Sequence, residues 1–189
     1  MRLEAKRFFG FTLIEVMVTL VVAAILLAAA VPSFVDFIDK NRVRGAGDDV
    51  ISLISNARAE AVKADRDVNI AMTGSGNSWC IGANAATPPG GGSPVGTATS
   101  CDCSDESGCL VAGQRMAVET GAFPDVRAGT LTAFTFNSKL GALVPLGDRS
   151  FSLTSPRGKF ALSVEVNALG QSRLCVPSDK PTISGIAPC

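Results

Sequence analysis

The fold is decided by residues 6–15, which read Lys6-Arg7-Phe8-Phe9-Gly10-Phe11-Thr12-Leu13-Ile14-Glu15. A short basic leader ends in a glycine, and an apolar run with one carboxylate near its start follows. From residue 16 to residue 31 the only polar side chain is that of Thr19. Together with residues 11–15, this run has the length of a helix that spans a bilayer, roughly 20 residues. We therefore expect a leader over residues 1–10 and a transmembrane helix over residues 11–31.

Glu15 is the one acidic side chain of this apolar run. A carboxylate at the centre of a bilayer costs roughly 2.5–3.5 kcal/mol, so Glu15 needs a partner for its charge. Cleavage after Gly10 would create a free cationic amine on Phe11, which is such a partner. The pattern is therefore typical of a signal for assembly into a filament.

Two other interpretations of the N-terminus are open. The first is a secretory signal peptide cut after the alanines at 28–30, but its apolar region of 7–15 residues should not contain Glu15. The second is an uncleaved signal anchor, which would leave Glu15 without a partner. We favour the cleaved leader because it gives the carboxylate a counter-charge.

The leader resembles the class III leader and methylation site of type IV pilins and type II secretion pseudopilins. Gly10 precedes the cut, Phe11 is the new N-terminus, and Glu15 is the fifth residue of the mature chain. The resemblance implies cleavage and N-methylation of Phe11 by a prepilin peptidase in the inner membrane. It also implies that the subunit waits in that membrane and then joins other pilins in a filament, where Glu15 neutralises the Phe11 amine of a neighbour.

The charge balance limits the partners and the orientation of the chain. Its 17 basic and 17 acidic residues exclude a strongly cationic protein, so any contact with DNA must be local. The leader carries three basic residues, Arg2, Lys6 and Arg7. By the positive-inside rule we expect a cytoplasmic N-terminus and a periplasmic globular part.

The cysteines all lie in the part expected to be periplasmic, where disulfides form and persist. Sequence proximity favours a Cys175–Cys189 pair, and closing that loop of about 15 residues is worth roughly 3 kcal/mol. Cys101 and Cys103 are too close in sequence to bond each other without strain. Each is therefore expected to bond either Cys80 or Cys109, and the sequence leaves open which of the two it takes.

Beyond the apolar run the helical spacing continues. Apolar residues line one helix face at positions 43, 46, 50, 53 or 54, 57, 61 and 64. We predict one long helix from Phe11 to about Ala64, with Pro32 kinking it or loosening a turn. Its part over residues 32–66 is amphipathic and continues into the globular domain.

From residue 67 to residue 189 the sequence predicts a β-rich domain. Short β-rich runs alternate with clusters of glycine and proline, as antiparallel hairpins require. Residues 84–113 are predicted to form a long loop that only its cysteines hold. The predicted runs are Val68–Met72, Trp79–Ile81, Arg115–Glu119, Leu131–Phe136, Ala142–Leu146, Phe151–Leu153, Lys159–Val166 and Arg173–Val176.

The expected fold class is α+β, with a long N-terminal transmembrane α-helix packed on an antiparallel β-rich globular domain. This order resembles the FimT/GspH-type minor pilins, and residues 167–175 carry the resemblance, reading Asn-Ala-Leu-Gly-Gln-Ser-Arg-Leu-Cys. FimT-type proteins typically have a similar glycine, basic residues and Leu-Cys, with a second cysteine near the end. GspH pseudopilins usually lack that cysteine pair. The resemblance therefore favours a minor pilin of a type IV pilus, with a type II secretion minor pseudopilin as the alternative.

The sequence predicts neither an enzyme nor a cofactor. The chain has no histidine to act as a base, and no paired-carboxylate motif stands out from the surface charge. A zinc site at Cys80, Cys101, Cys103 and Cys109 competes with disulfides in an oxidising compartment, and disulfides are favoured. The acidic residues at 102, 105 and 106 lack the spacing of an EF-hand loop, so no metal site is predicted.

DNA binding is a further alternative. Some FimT-type pilins bind DNA during natural transformation through Gly-Arg-x-Arg ahead of the Leu-Cys, and residues 170–173 read Gly-Gln-Ser-Arg here, with one arginine missing. A small phosphate-binding patch would form if the fold brings four basic residues together; otherwise they are solubilising charges. These residues are Arg157, Lys159, Arg173 and Lys180.

Overall fold

The computed structural model describes residues 11–85, 101 and 108–189. They belong to two compact units, residues 1–38 and residues 39–189. The expected leader, with the Gly10 cleavage position, lies outside the described residues. So do Cys103 and most of the loop predicted over residues 84–113.

A single helix, α1, runs from Leu13 to Lys63. Its bounds lie within two residues of the predicted ones, and it continues through Pro32 without interruption. An 18-residue window of this helix has a mean hydropathy of 2.7, so its length and composition suffice to cross a membrane. The predicted transmembrane segment over residues 11–31 lies in its N-terminal part.

In the first unit the large apolar side chains from Phe11 to Phe34 are exposed. Their exposed fractions lie between 47% for Val16 and 83% for Phe11. The Thr19 hydroxyl donates to the Val16 carbonyl at 2.9 Å, so this polar group is satisfied within the helix. An apolar surface of this size needs lipid or other apolar helices around it.

In the second unit α1 buries the face that the sequence predicts. Ala64 is the exception: it is exposed because it follows the last helical residue, Lys63. The buried residues are Val43, Ala46, Val50, Leu53, Ile54, Ala57 and Ala61.

Eleven strands are described after α1, joined in part by a 3-10 turn at Thr120–Ala122. Seven of them have four residues or fewer. In chain order the strands are β1 (Val68–Ser75), β2 (Ser78–Ala85), β3 (Leu110–Val111), β4 (Gln114–Arg115), β5 (Ala117–Glu119), β6 (Arg127–Ala128), β7 (Phe134–Phe136), β8 (Leu143–Val144), β9 (Arg149–Thr154), β10 (Ala161–Val166) and β11 (Ser172–Cys175).

The strands form three antiparallel sheets. A five-stranded sheet has the order β5-β2-β1-β7-β8, a four-stranded sheet has the order β11-β10-β9-β6, and β3 pairs with β4. Gly76 in the β1–β2 turn exchanges two hydrogen bonds with Ala128 of β6, at 2.8 and 2.9 Å, which ties the two larger sheets together. Their apolar faces and the buried face of α1 share one core, which includes Phe134, Phe160 and Trp79.

The prediction of a loop from residue 84 to residue 113 is wrong at both ends. Asn84 and Ala85 belong to β2, because the β1–β2 hairpin pairs as far as Val68 with Ala85. Near the other end, β3 pairs with β4 through Val111 and Gln114. These small or isolated residues have no alternating pattern, and their strand conformation comes from the partner strand.

Candidate processing, assembly and contact sites

The expected assembly signal lies at the start of α1. The Glu15 backbone N–H donates to the Thr12 hydroxyl at 3.3 Å and to the Thr12 carbonyl at 3.1 Å. Thr12 is therefore the N-cap of the helix and places Glu15 in the first turn, where the helix dipole favours a carboxylate. Sequence reasoning missed this role of Thr12, although Thr-x-x-Glu is the spacing of a capping box.

The carboxylate of Glu15 is open to a partner. Glu15 and Phe11 are both exposed, and within residues 11–85, 101 and 108–189 the carboxylate makes no hydrogen bond or ion pair. The hydroxyl of Thr19 is already satisfied, so Glu15 carries the uncompensated charge of the apolar segment. Gly10, on the other side of the predicted cut, lies outside the described residues.

Two disulfides are described in the second unit. Cys175 is bonded to Cys189, and Cys101 to Cys109. Cys80 is also disulfide-bonded, and Cys103 lies outside the described residues. The Cys101–Cys109 bond agrees with the expectation that Cys101 takes its partner from beyond its neighbour Cys103.

The Cys175–Cys189 bond leaves Glu165 without a thiolate beside it for binding a metal. A Glu165 carboxylate oxygen and the two sulfurs lie within 4.8 Å of one another. Because the sulfurs are bonded to each other, neither is a thiolate that could bind a metal.

Arg157 is engaged in an ion pair that sequence reasoning missed. Its Nε donates to Asp39 Oδ2 at 2.9 Å, and Asp39 is only 4% exposed. A buried carboxylate needs such a partner, since an unpaired buried charge is strongly destabilising. Residues 39 and 157 are 118 positions apart, so no local pattern could reveal the pair.

Two of the other basic residues lie near Arg157. The Lys159 Nζ is 5.5 Å from the centre of the Phe160 ring, and the Lys180 Nζ donates to the Gly158 carbonyl at 3.4 Å. Arg157 and Lys159 therefore lie in the turn that precedes β10, and Lys180, beyond β11, contacts that turn. Part of their charge is already used by Asp39 and Asp179, the latter 4.0 Å from Lys180.

Arg173 lies elsewhere on the sheet. It is on β11, opposite Glu165 of β10, and the two side chains form a salt bridge at 2.7 Å. Glu165 is the fifth residue of β10, so roughly 13 Å of extended strand separates it from the end of the strand that follows the turn of Lys159. The structure thus does not bring the four basic residues into one patch, and DNA binding stays a prediction.

A surface groove of about 610 Å³ lies beside Arg173. Arg149, at the start of β9, lines it with Asp148 and Glu165. The two terminal nitrogens of Arg149 donate to the carbonyls of Asp148 and Pro145, at 3.0 and 3.2 Å. Its buried Nε has no acceptor in the described part of the chain.

Two glycines let two turns meet next to this groove. Gly141 and Gly170 both have a positive φ, of 61° and 80°. A Cβ on Gly170 would overlap the Gly141 carbonyl oxygen, so the two turns touch through their backbones. The Arg58 Nε of α1 donates to that same carbonyl at 2.8 Å and holds the turns against the helix.

The end of α1 is fastened by a surface ion pair. Asp65 has a positive φ of 48°, and both its carboxylate oxygens accept from the Lys139 Nζ, at 2.8 and 2.9 Å. The hydrogen bond from Lys139, followed by its positive charge, lowers the pKa of Asp65 below the ordinary value of 3.8.

Comparisons with known proteins assign the class of the chain. Residues 5–31 match the family model of the prokaryotic N-terminal methylation motif. Residues 46–170 match the model described as type II transport protein GspH. Because the second match covers most of the chain, the chain belongs to the GspH family. It has the features of a minor pilin or minor pseudopilin, a class of structural subunits that are processed by a peptidase and assemble with other pilins.

Solved structures give a similarity at low identity. Two crystal structures of the type IV minor pilin FimU from Pseudomonas aeruginosa (strain PAO1) are similar to this chain. One is 18% identical, with 72% of this chain and 94% of that chain covered and a TM-score of 0.47. The other is 19% identical, with 76% and 95% covered and a TM-score of 0.48. A search of curated proteins finds no match.

Proposed function

We propose that the chain is a minor pilin of a type IV pilus, a structural subunit without enzymatic activity. A prepilin peptidase cleaves it between Gly10 and Phe11 and methylates the Phe11 amine. The observation that carries the proposal is the capped start of α1, where Glu15 is exposed beside an apolar helix surface and has no counter-charge among the residues that the structure describes. The amine of a neighbouring subunit supplies that counter-charge as the helices bundle.

The same proposal includes an orientation. Before assembly the N-terminus lies in the cytoplasm, residues 11–31 span the inner membrane, and the second unit lies in the periplasm. The disulfides of the second unit support this orientation, because disulfides persist in the oxidising periplasm. After extraction the subunit is part of the pilus or of its tip or priming complex.

A pilus is favoured over a type II secretion system by the C-terminal cysteines. Leu174-Cys175 with a second cysteine near the end is the FimT-type pattern, and here Cys175 is bonded to Cys189. Deleting the gene tests this choice. We expect loss of surface pili with secretion of exoproteins unchanged; a secretion defect with normal pili would assign the chain to the secretion system instead.

Replacing Glu15 tests the assembly role. In Glu15→Ala, leader removal and membrane insertion should stay intact, while the amount of the chain in sheared filaments falls about tenfold or more, since a desolvated charge pair is lost. The matched control is Thr19→Ala, which removes a polar group of the same segment that is already satisfied.

The readouts are immunoblots of sheared filaments and the N-terminal mass of the purified chain. A mature chain that starts at methylated Phe11 agrees with the proposal. Normal filament levels of Glu15→Ala would contradict charge pairing, and a chain that starts after residue 30 would contradict the processing site.

A further inference from the structure

Three exposed leucines lie at the tips of three turns. Leu140, Leu146 and Leu169 are 77%, 76% and 64% exposed. Turn positions usually carry glycine, proline, asparagine, aspartate or serine, whose backbone preferences or short polar side chains suit a turn. A single exposed leucine is ordinary, but apolar side chains gathered on adjoining turns mark an interaction site.

The three turns adjoin because hydrogen bonds join them, one between backbones and one from a backbone to a side chain. The Leu143 N–H donates to the Ala168 carbonyl at 3.0 Å, which joins the turns of Leu140 and Leu169. The Ala168 N–H donates to Asp148 Oδ1 at 2.9 Å, which joins the turn of Leu146 to the same place. These contacts hold the leucines in fixed positions while their side chains face solvent.

Helix α1 extends this apolar surface. Val62 is 49% exposed, and its Cγ2 would lie 3.2 Å from a Cβ on Gly141, so it borders the turn of Leu140. We call Val62, Leu140, Leu146 and Leu169 the leucine patch.

The groove next to the leucine patch is lined by two arginines, Arg149 and Arg173, and by two carboxylates, Asp148 and Glu165. Arg173 is paired with Glu165, whereas Arg149 makes no salt bridge in the part of the chain that the structure describes. Arg149 donates to the carbonyl of Pro145, the residue directly before Leu146. A positive charge therefore lies at the edge of an apolar surface.

We propose that the leucine patch and the groove form a docking surface for a neighbouring pilin-like subunit. The partner surface is apolar and carries one carboxylate, which pairs with Arg149. Protein interfaces combine these parts: a central apolar cluster, an arginine, and a charge pair that fixes the register. The inference rests on the proposed function, since it assumes that the chain is built into a filament.

The charges of the groove favour a protein over DNA. Asp148 and Glu165 balance Arg149 and Arg173 in the groove, so its lining has no surplus of positive charge for a phosphate backbone. Nucleic-acid binding needs a surplus of basic residues, and its affinity comes from phosphate contacts. A single carboxylate, in contrast, matches one guanidinium bordered by leucines.

The test is photocrosslinking in the prokaryote that encodes the chain. Benzoylphenylalanine replaces Leu146 in the full-length chain, filaments are sheared after irradiation, and the crosslinked peptides are sequenced by mass spectrometry. We expect a crosslink to a subunit that has its own prepilin leader, at a peptide with an aspartate or glutamate. Arg149→Glu should lower the crosslink yield about tenfold or more.

The matched control is Arg127→Glu. It makes the same charge reversal at an exposed position of β6. Arg127 pairs with Thr154, the last residue of β9, whereas Arg149 is the first residue of that strand. This control should crosslink like the parent chain. Leu169→Glu is a second, independent variant that should lower the yield without changing the fold, which tryptophan emission checks.

The remaining outcomes overturn the inference. A chain that is present in sheared filaments but gives no crosslink to a pilin-like subunit would contradict it without affecting the proposed function. If Arg149→Glu leaves the crosslink yield unchanged but binds duplex DNA more weakly than the parent chain, the groove is a phosphate-binding site instead. Absence of the parent chain from filaments would overturn the proposed function and this inference with it.

Discussion

Gly170 shows how one residue without a side chain determines the shape of a whole surface. Its φ of 80° is a conformation that side chains with a Cβ rarely adopt, and its Cα faces the Gly141 carbonyl. Arg58 donates to the same carbonyl. The convergence of the helix and the turns therefore depends on a position where no other residue fits.

Substituting this glycine should cost more than its backbone conformation alone. In Gly170→Ala we expect a loss of about 3 kcal/mol or more in the free energy of unfolding, because strained backbone and steric overlap add. Gly158→Ala is the matched control: its φ is 73° and no atom lies within 4 Å of the added Cβ. It should lose only about 1–2 kcal/mol. Chemical denaturation of both variants gives the comparison, and equal losses would contradict the contact.

The ion pair of Asp65 predicts a pH dependence with a definite sign. Lys139 lowers the pKa of Asp65 in the folded chain below 3.8, so the pair stabilises the fold above that pH. This contribution is lost as the pH falls through the lower, folded-state pKa. An NMR titration of the Asp65 carboxyl should give a midpoint below 3.8, and Lys139→Met should return it toward 3.8. A midpoint unchanged by the substitution would contradict the pairing.

Among the elements, the C-terminal segment is held in two ways. The Cys175–Cys189 disulfide closes it covalently, and Val176 exchanges backbone hydrogen bonds with Ala187 and Cys189, at 2.9 and 3.0 Å. Cys175 is the last residue of β11, so the disulfide attaches the segment to the edge of the four-stranded sheet. Its order therefore depends on both the covalent bond and the hydrogen bonds.

Removing this disulfide should destabilise the second unit by about 3 kcal/mol, the chain-entropy value for a loop of this length. The variant combines Cys175→Ala with Cys189→Ala, and its thermal unfolding is compared with that of the parent chain. An unchanged unfolding temperature would contradict the stabilising role of the disulfide.

Peptide mapping of the non-reduced parent should link Cys101 to Cys109, which leaves Cys103 as the expected partner of Cys80.

The elements also show what the sequence can predict. The buried face of α1 is visible in the sequence because neighbours on a helix face are three or four positions apart. β6 is not, because Arg127 and Ala128 are extended only through their pairing with β9 and Gly76. The same limit applies to the leucine patch, whose members come from four separate segments. Contacts between distant residues leave no local pattern.

For the whole molecule, the division at residue 38 separates two kinds of surface. The first unit exposes its apolar side chains, whereas the second buries its own around a core of helix and sheets. The two units therefore need different surroundings: apolar ones for the first, water for the second.

This division predicts that residues 39–189 fold without the first unit. The segment has the size of an ordinary domain and its own core. Produced alone in an oxidising compartment, it should be monomeric without detergent and unfold in one cooperative transition. Calorimetry and near-UV circular dichroism measure this. A gradual transition without near-UV signal would show that the core depends on the missing segment.

Trp79 gives the molecule a built-in optical label. It is the single tryptophan in a chain without tyrosine, it is 2% exposed, and its indole N–H donates to the Val126 carbonyl at 2.8 Å. Light absorbed near 295 nm therefore excites one site, at the centre of the globular core. Emission from that site shifts to the red when water enters, so every denaturation series above can be read from an unlabelled sample.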